Sequence, residues 1–485
     1  VASIIDTEVR RDVREARRVS SASNAYEAVA TREAVVDSPE FEARLDEIVR
    51  RMELEGVEGV YFQVSSVDGR VLGKLIMRAH FKAVARAGIR LHYAAVTDAR
   101  VDLWGDLIGF GEQTIEGLGI PDLETFRVLP WEPRLARVWC HYYEEAGGGL
   151  LEHDVRGNLR RVEDVLYRET GLTMLTGIEP EMMWLRKGPD GSLSHATSAD
   201  ALYNVTQFGE LEPVFLEVAE FARSMGLDLS HGDHEDASQI EFNQSPGTPL
   251  EHADALVTYR QICRVVGQRH GLIACFMPKP FMQVSGNGHH HNVSLVDDAG
   301  DNRIIGDLAG ACRLSAEGLG FVGGILEHAD ALTLVGSPSV NSYKRFWDVG
   351  YWAPFHKSYD YNNRTVLLRV SAPGRLEIRH FDSSCNPYLT LAGVAMAAVD
   401  GIKRGLDPGP PNTASAEMDL RVPREQRVPL HLLEAIEAFE ADPLMKEAFP
   451  PSLYEAFLAL RRDEWTRYCA QVSQWETDFY LERYP

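Results

Sequence analysis

The sequence predicts an α+β fold, with a small β-rich domain followed by a larger one in which helices and strands alternate. Three observations predict it. Two short β-rich runs, 57–63 and 71–76, flank an Asp68-Gly69 turn. From about residue 155, segments of helical and of strand period take turns along the chain. Four strand-like segments alternate polar with apolar residues, so one face of a sheet carries charge.

Taken in order, residues 1–40 are rich in Arg, Glu, Ala and Ser and read as an exposed helical arm. An amphipathic helix follows over 41–54, because Phe41, Leu45, Ile48, Val49 and Met52 recur at helical spacing. Asp-Gly between the two β-rich runs signals a hairpin. Alternation of β-rich and turn-rich segments continues to about Cys140, and Gly147-Gly148-Gly149 marks a boundary. The domains are therefore expected at 41–145 and 146–485. In the second, helices are expected at 155–170, 211–225 and 249–270, and strands at 173–185, 239–243, 289–295 and 366–379. The last quarter reads as mainly helical, with charged outer faces over 430–441 and 452–481.

Composition closes several functional classes. The 485 residues are 45% hydrophobic and 25% charged, as in an ordinary globular protein. Lysine and arginine number 49 against 72 acidic residues, a net charge of −23. Such a charge repels a nucleic-acid backbone or an anionic membrane. Apolar stretches such as 391–399 fall far short of the roughly 20 residues that span a bilayer. Arg10, Arg11, Arg14, Arg17 and Arg18 interrupt any signal-peptide core. Six scattered cysteines with no CxxC pair read as reduced, mostly buried thiols of a cytoplasmic protein, which excludes zinc fingers and disulfide scaffolds.

The informative residues are carboxylates within apolar strands. Glu179 and Glu181 lie two apart in Gly177-Ile178-Glu179-Pro180-Glu181, so both point to one face. Side by side in an apolar run, two like charges call for a cation or a solvated edge. Similar segments recur. Gln239-Ile240-Glu241-Phe242-Asn243 alternates with Glu235 just upstream, Arg375-Leu376-Glu377-Ile378-Arg379 sets Arg, Glu and Arg on one face, and His290, Asn292 and Ser294 share a face of 289–294. Four such strands suggest a barrel-like sheet around a charged cavity. Five glutamates and one histidine suit two hard divalent cations, Mg²⁺ or Mn²⁺, and a near-neutral site of that kind accepts nucleotide phosphates.

Arg345, Arg364, Arg369, Arg375 and Arg379 cluster late in the chain and could serve those phosphates, although each alone reads as ordinary surface charge. Three consecutive histidines resemble a metal tract, but strand alternation lets only His290, or the pair His289 and His291, reach one site. Gly69-Arg70-Val71-Leu72-Gly73-Lys74 has too few residues between its glycines for a phosphate loop. Gly286-Asn287-Gly288 reads as a loop whose backbone can approach a ligand closely.

These motifs, in order, resemble the glutamine synthetase family from about residue 41 to the C-terminus. Pro121-Asp122-Leu123-Glu124-Thr125 and Leu129-Pro130-Trp131 look like the end of its N-terminal β-grasp domain. Gly177 to Glu181 looks like its first metal-ligand strand. Arg269-His270-Gly271-Leu272 through Phe276-Met277-Pro278-Lys279-Pro280 and Gly286-Asn287-Gly288 look like its ATP-site signature. Asn341-Ser342-Tyr343-Lys344-Arg345, Asn363-Arg364, Arg375-Leu376-Glu377-Ile378-Arg379 and Asn386-Pro387-Tyr388-Leu389 complete the set. The resemblance implies a β-grasp domain ahead of a catalytic domain with a barrel-like antiparallel sheet flanked by helices. It implies Glu181, Glu235 and Glu241 as ligands of a first metal, and Glu179, His290 and Glu377 as ligands of a second. Arg345, Arg379 and the Gly286 backbone match positions that hold glutamate. Arg364, Arg369, Arg375 and Asn292 match nucleotide and phosphate contacts, Arg345 and Arg364 also being expected to act in catalysis. The chemistry implied is attack of the glutamate γ-carboxylate on ATP, giving γ-glutamyl phosphate, then attack of an amine on that acyl phosphate. A dodecamer of two stacked hexameric rings is implied as well, with active sites between subunits.

Departures from the family pattern choose among its members. The Glu235–Glu241 interval is one residue short, and Asn292 replaces the second histidine of a His-x-His. Glutamine synthetases hold and deprotonate ammonium with two acidic groups. At those positions stand Ser66, in the hairpin, and Trp352, before Ala353-Pro354. Serine and indole supply neither charge nor base, whereas an indole offers a flat apolar wall. The sequence thus resembles the branch of glutamate–amine ligases that includes γ-glutamylmethylamide, γ-glutamylpolyamine and γ-glutamylanilide synthetases. A weakly basic aromatic amine fits best and a polyamine worst. A true glutamine synthetase and a catalytically inactive relative are the alternatives. Ser66 and Trp352 speak against the first, and the retained ligand-type residues against the second.

Overall fold

The computed structural model describes residues 30–109, 116–145, 148–197, 202–236, 238–307, 311–348, 350, 352–415 and 421–483. The expected arm over 1–40 and the Gly147 boundary therefore fall largely outside the described residues. Helix α1, Pro39–Glu55, begins where Ser38 accepts a hydrogen bond from the Phe41 N–H at 3.2 Å and ends at Gly56, in the left-handed region at φ 73°. Its buried face is Phe41, Leu45, Ile48 and Met52, the stripe expected from periodicity.

A five-stranded sheet comes first: β1 Gly59–Ser65, β2 Val71–Met77, β3 Ile89–His92, β4 Glu116–Val128 and β5 Leu135–Glu144, in the order β2-β1-β5-β4-β3. The β1–β2 pair is the expected hairpin, and β1 and β5 run parallel. Between β2 and β3 the chain makes a helix, Arg78–Ala87, where only strand and turn were expected. Phe81 and Ala85, one turn apart, bury it.

The second sheet has nine strands: β6 Thr173–Lys187, β7 Leu193–His195, β8 Leu229–His234, β9 Gln239–Gln244, β10 Ile273–Cys275, β11 His289–Val296, β12 Tyr359–Tyr361, β13 Leu368–Ala372 and β14 Arg375–Ile378. The main path is β12-β13-β14-β11-β6-β9-β8, with β7 and β10 also pairing to β6. It forms a nearly closed, barrel-like sheet flanked by helices. The stretch expected as one strand over 366–379 is a hairpin, because Gly374 reverses the chain at φ 79°. The helix expected over 452–481 is two, Pro451–Cys469 and Gln474–Tyr480. The second starts at a capping box of Ser473 and Glu476.

Three long helices pack on one another, α2 Val155–Thr170, α3 Pro249–Arg269 and α4 Pro387–Arg404, and the first two also lie against β6. Arg156 of α2 joins them to the first sheet. Its guanidinium donates to Asp254 of α3 at 2.9 Å and to Asp122 of β4 at 2.8 Å, and Tyr388 of α4 donates to the same Asp254 at 2.5 Å. Among the described residues no single helix is long and apolar enough to cross a membrane.

His328, between the helices Ala316–Glu327 and Ala329–Gly336, sits between two carboxylates, Asp442 at 2.7 Å and Asp400 at 3.0 Å. Burial pushes its imidazole down, but the two aspartates outweigh burial and hold it above its usual 6.5. A group raised on folding stabilises fully below its unfolded value, and that stability is lost as pH rises through the folded value. Urea unfolding of wild type and His328→Gln should therefore differ most near pH 6 and converge near pH 9. A difference that does not change with pH contradicts this role.

Candidate active site

Strand register assembles the charged face. Glu179 of β6 lies opposite His290 of β11, and Glu181 lies opposite Glu241 of β9. Glu241 in turn faces Asp233 of β8, while Glu377 of β14 faces Asn292 on one side and Arg369 of β13 on the other. Opposed residues project to the same face of a sheet. Residues scattered over 145 positions, from Asp233 to Glu377, are thereby gathered with Glu179 and Glu181.

His290 is the hinge of the arrangement. Its Nδ1 lies 3.5 Å from Glu179 and 3.6 Å from Glu377, and its Nε2 lies 4.0 Å from Glu181. Donor atoms of Glu179, His290 and Glu377 fall within 4.8 Å of one another, as do those of Glu181, Glu241 and His290. Two ligand clusters thus share one ring, one at each nitrogen.

Neutral amides and arginines orient the carboxylates. Gln239 donates to Glu181 at 2.7 Å and to the Gly286 carbonyl at 2.9 Å, Asn243 donates to Glu241 at 2.9 Å, and Asn292 donates to Glu179 at 2.8 Å. Glu377 is held by Arg369 at 2.7 Å and by Arg379. The loop before β11 is fixed by Asn287, whose amide donates to the carbonyls of Cys275 and Met277 at 3.2 and 2.8 Å. Lys279 anchors it to Asp348 at 2.6 Å.

Glycine is required at Gly286, where a Cβ would stand 2.7 Å from Cγ of Arg345 and 2.7 Å from the Pro278 carbonyl. Without that side chain Arg345 passes beneath the loop into the site. It is buried, with NH1 3.3 Å from the His380 carbonyl. Glu181 Oε2, His290 Nε2 and Arg345 NH2 all come within 3.3 Å of the position a Cβ would take on Gly288. That close convergence of acid, imidazole and guanidinium is what the Gly-Asn-Gly backbone permits.

The carboxylates carry more negative charge than the arginines offset. Burial, then the charges of Glu179, Glu181 and Glu235, push Glu241 well above the usual carboxylate range. Burial, then Glu181 and Asp233, bring Glu235 up to about 7. On the other side the balance reverses. Burial raises Glu377, but Arg379, His290 and Arg369 outweigh it and hold the carboxyl at about 2. Oxygen donors in this number, with a single imidazole, fit hard divalent cations such as Mg²⁺ or Mn²⁺.

The structure brings the expected ligand residues together unevenly. Glu179, His290 and Glu377 come together as one cluster, whereas Glu181 and Glu241 are joined by His290 and not by Glu235. Glu235 sits in the tight β8–β9 connection, its N–H donating to the Gln239 carbonyl at 3.0 Å, close enough for its charge to be felt by Glu241. The remaining expected residues belong to neither cluster. Arg364 is exposed and its charge reaches Glu235. Arg375 is exposed and donates to Ser371 at 2.8 Å. Trp352 is 49% exposed, with φ at 59° in the left-handed region. Ser66 is fully buried: its hydroxyl accepts from the Arg70 N–H at 3.0 Å and its carbonyl accepts from Asn386 at 3.1 Å. No bond described for Ser66 links it to the carboxylate cluster. Asp233 and Gln239 were not foreseen. For Asp233 the signal was its two-residue spacing from Glu235, just past the end of a strand whose single apolar residue is Leu229; for Gln239 it was its place in the alternating 239–243 segment.

Residues 152–480 match the family described as glutamine synthetase, catalytic domain. The chain is 36% identical over 384 residues to a glutamine synthetase of Halobacterium salinarum, across 75% of this chain and 82% of that one. It is 34% identical over 446 residues to a glutamate–methylamine ligase of Methyloversatilis universalis, across 88% of this chain and 96% of that one. A solved structure described as apo GmaS without ligand superposes with a TM-score of 0.80 at 30% identity, covering 90% of this chain and 99% of that one.

Proposed function

The chain belongs to the glutamine synthetase family and is an ATP-dependent carbon–nitrogen ligase, and from that premise we propose that it joins the γ-carboxylate of glutamate to an organic amine. The observation that carries the proposal is the pair of ligand clusters sharing His290, with Arg345 and Arg379 beside them. Divalent metals and ATP are used throughout this family. Glu179, His290 and Glu377 would hold one cation, and Glu181 and Glu241, with Glu235 as a further carboxylate, the other. Such cations would offset the carboxylate charge and draw electron density from the phosphoryl oxygens of ATP.

The chain's own residues then have distinct tasks. Arg345, Arg379 and the Gly286 backbone receive glutamate. Arg364, Arg369, Arg375 and Asn292 face the nucleotide phosphates. A γ-carboxylate oxygen attacks the terminal phosphorus and ADP leaves, forming γ-glutamyl phosphate. The amine nitrogen attacks the acyl carbon, phosphate departs, and the nitrogen loses one proton. Guanidinium groups in a largely buried site stabilise the charge that develops in both transfers.

The organic-amine reading rests on Trp352 and Ser66, which bear no charge where ammonium would need it. The relative that acts on methylamine supports it. Among amines, an aromatic one that is neutral near pH 7 loses least from a site without those acids. A double ring of twelve subunits with sites at their junctions, working in the cytoplasm, completes the proposal. Glutamate labelled with ¹⁸O in the γ-carboxylate tests the two-step route. One labelled oxygen should appear in the released phosphate for each amide formed, and unlabelled phosphate contradicts the acyl-phosphate intermediate.

A further inference from the structure

The three histidines of β11 do not act as one tract. The strand's pleat sends His290 to the carboxylates and turns His289 and His291 to the opposite face. Both of these rings are 0% exposed, and their centroids are 4.6 Å apart at 76°. All four of their ring nitrogens are buried with no hydrogen-bond partner among the described residues. A neutral imidazole always carries one N–H donor. Each ring therefore holds a buried donor or acceptor that nothing answers, which is rare in folded proteins.

Cys385 completes a cluster with them. It lies in the turn just before α4, is 0% exposed, and has its Sγ within 4.8 Å of a nitrogen on each ring. The turn is well held. Arg260 donates to the carbonyls of Ser383 and Cys385 at 2.8 and 2.9 Å, and the Cys385 N–H donates to Asp382 at 3.1 Å. Asp382, also fully buried, brings a carboxylate to the same turn.

We propose that His289, His291 and Cys385 form a third metal site, for a borderline-soft transition ion with zinc foremost, on the face of β11 opposite the carboxylates. Donor chemistry separates it from the clusters around His290. Two imidazoles and a thiolate select zinc-like ions, whereas five carboxylates select Mg²⁺ or Mn²⁺. Three protein donors leave a fourth tetrahedral position, which a water can take. Binding displaces the thiol proton of Cys385 to solvent. The ion would tie β11 to the turn entering α4, and so fix the backbone that carries His290.

Cobalt(II) is the probe, because a thiolate ligand gives it a charge-transfer band that carboxylates and imidazoles do not. The full-length protein, stripped with EDTA and then saturated with Mg²⁺, is titrated with Co²⁺ and followed by absorption. A saturable band reaching one Co²⁺ per chain, bleached by Zn²⁺, is expected. It should vanish in Cys385→Ser and in His289→Asn, each checked for a wild-type circular-dichroism spectrum, and persist in Cys469→Ser, at the exposed cysteine. No band in the wild-type protein overturns the proposal whatever the variants do, and so does a band that survives Cys385→Ser.

Discussion

Replacing Glu241 with glutamine is expected to lower glutamate-dependent phosphate release by about 100-fold or more while leaving the chain folded, since even groups that only orient metal ligands are worth roughly 10–100-fold. Glutamine keeps the shape and the contact from Asn243, which donates to Glu241 at 2.9 Å. It removes one negative charge from a face that also carries Glu179, Glu181 and Asp233. Stability should move the other way from activity. Burial, then neighbouring carboxylates, raise Glu241 above its unfolded value of 4.5. A raised acid loses stability as pH climbs from the unfolded towards the folded value, so without metal the variant should gain on wild type as pH rises. Mg²⁺ or Mn²⁺ should reverse the order by stabilising wild type, by about 2.7 kcal/mol at a hundredfold excess over Kd. Thermal unfolding with EDTA and with each metal checks both signs. An undiminished metal effect in the variant would mean that the ions bind elsewhere.

The second large effect concerns the joint between the two sheets. Arg156→Met should cost about 3–5 kcal/mol, the usual loss when one partner of a buried ion pair is removed. The side chain is 3% exposed, and without it Asp122 and Asp254 are left with no guanidinium ion-pair partner among the described residues. Burial alone would raise Asp122, and Arg156 is the first of the groups that bring it below its usual range. Denaturant unfolding at fixed protein concentration measures the loss. Adding Asp122→Asn and Asp254→Asn to Arg156→Met should recover part of it, because the stranded charges are then gone. A loss below about 1 kcal/mol would show that the network is a weak ion pair and not the joint.

How much of this could be seen in the sequence depended on whether the deciding forces were local. Val155–Thr170 was placed to the residue because Asp154 caps its start and Gly171, at φ 71°, ends it. The carboxylate strands stood out because Glu179, Glu181, Glu241 and Glu377 interrupt apolar runs where charge is expensive. Their partnership was harder to see. That Glu181 faces Glu241, and Glu377 faces Asn292, is a matter of register between distant strands. The helix Arg78–Ala87 was missed because its N-cap, Met77, makes no side-chain bond and only two residues are buried. Asp233 was missed because its strand, with exposed or half-buried residues before His234, shows no apolar alternation. Ser66 was noticed for the carboxylate it lacks. What the structure adds is that its hydroxyl closes its own turn.

The measurement that tests the central claim most directly is phosphate release from ATP with glutamate and Mg²⁺ or Mn²⁺, compared across ammonium, methylamine, isopropylamine, aniline and putrescine at equal concentration. An organic amine should exceed ammonium by about tenfold or more, with aniline first and putrescine last among the amines, and the product should be the corresponding γ-glutamylamide. Ammonium giving the highest rate would contradict the account and return the chain to the glutamine-forming branch of its family.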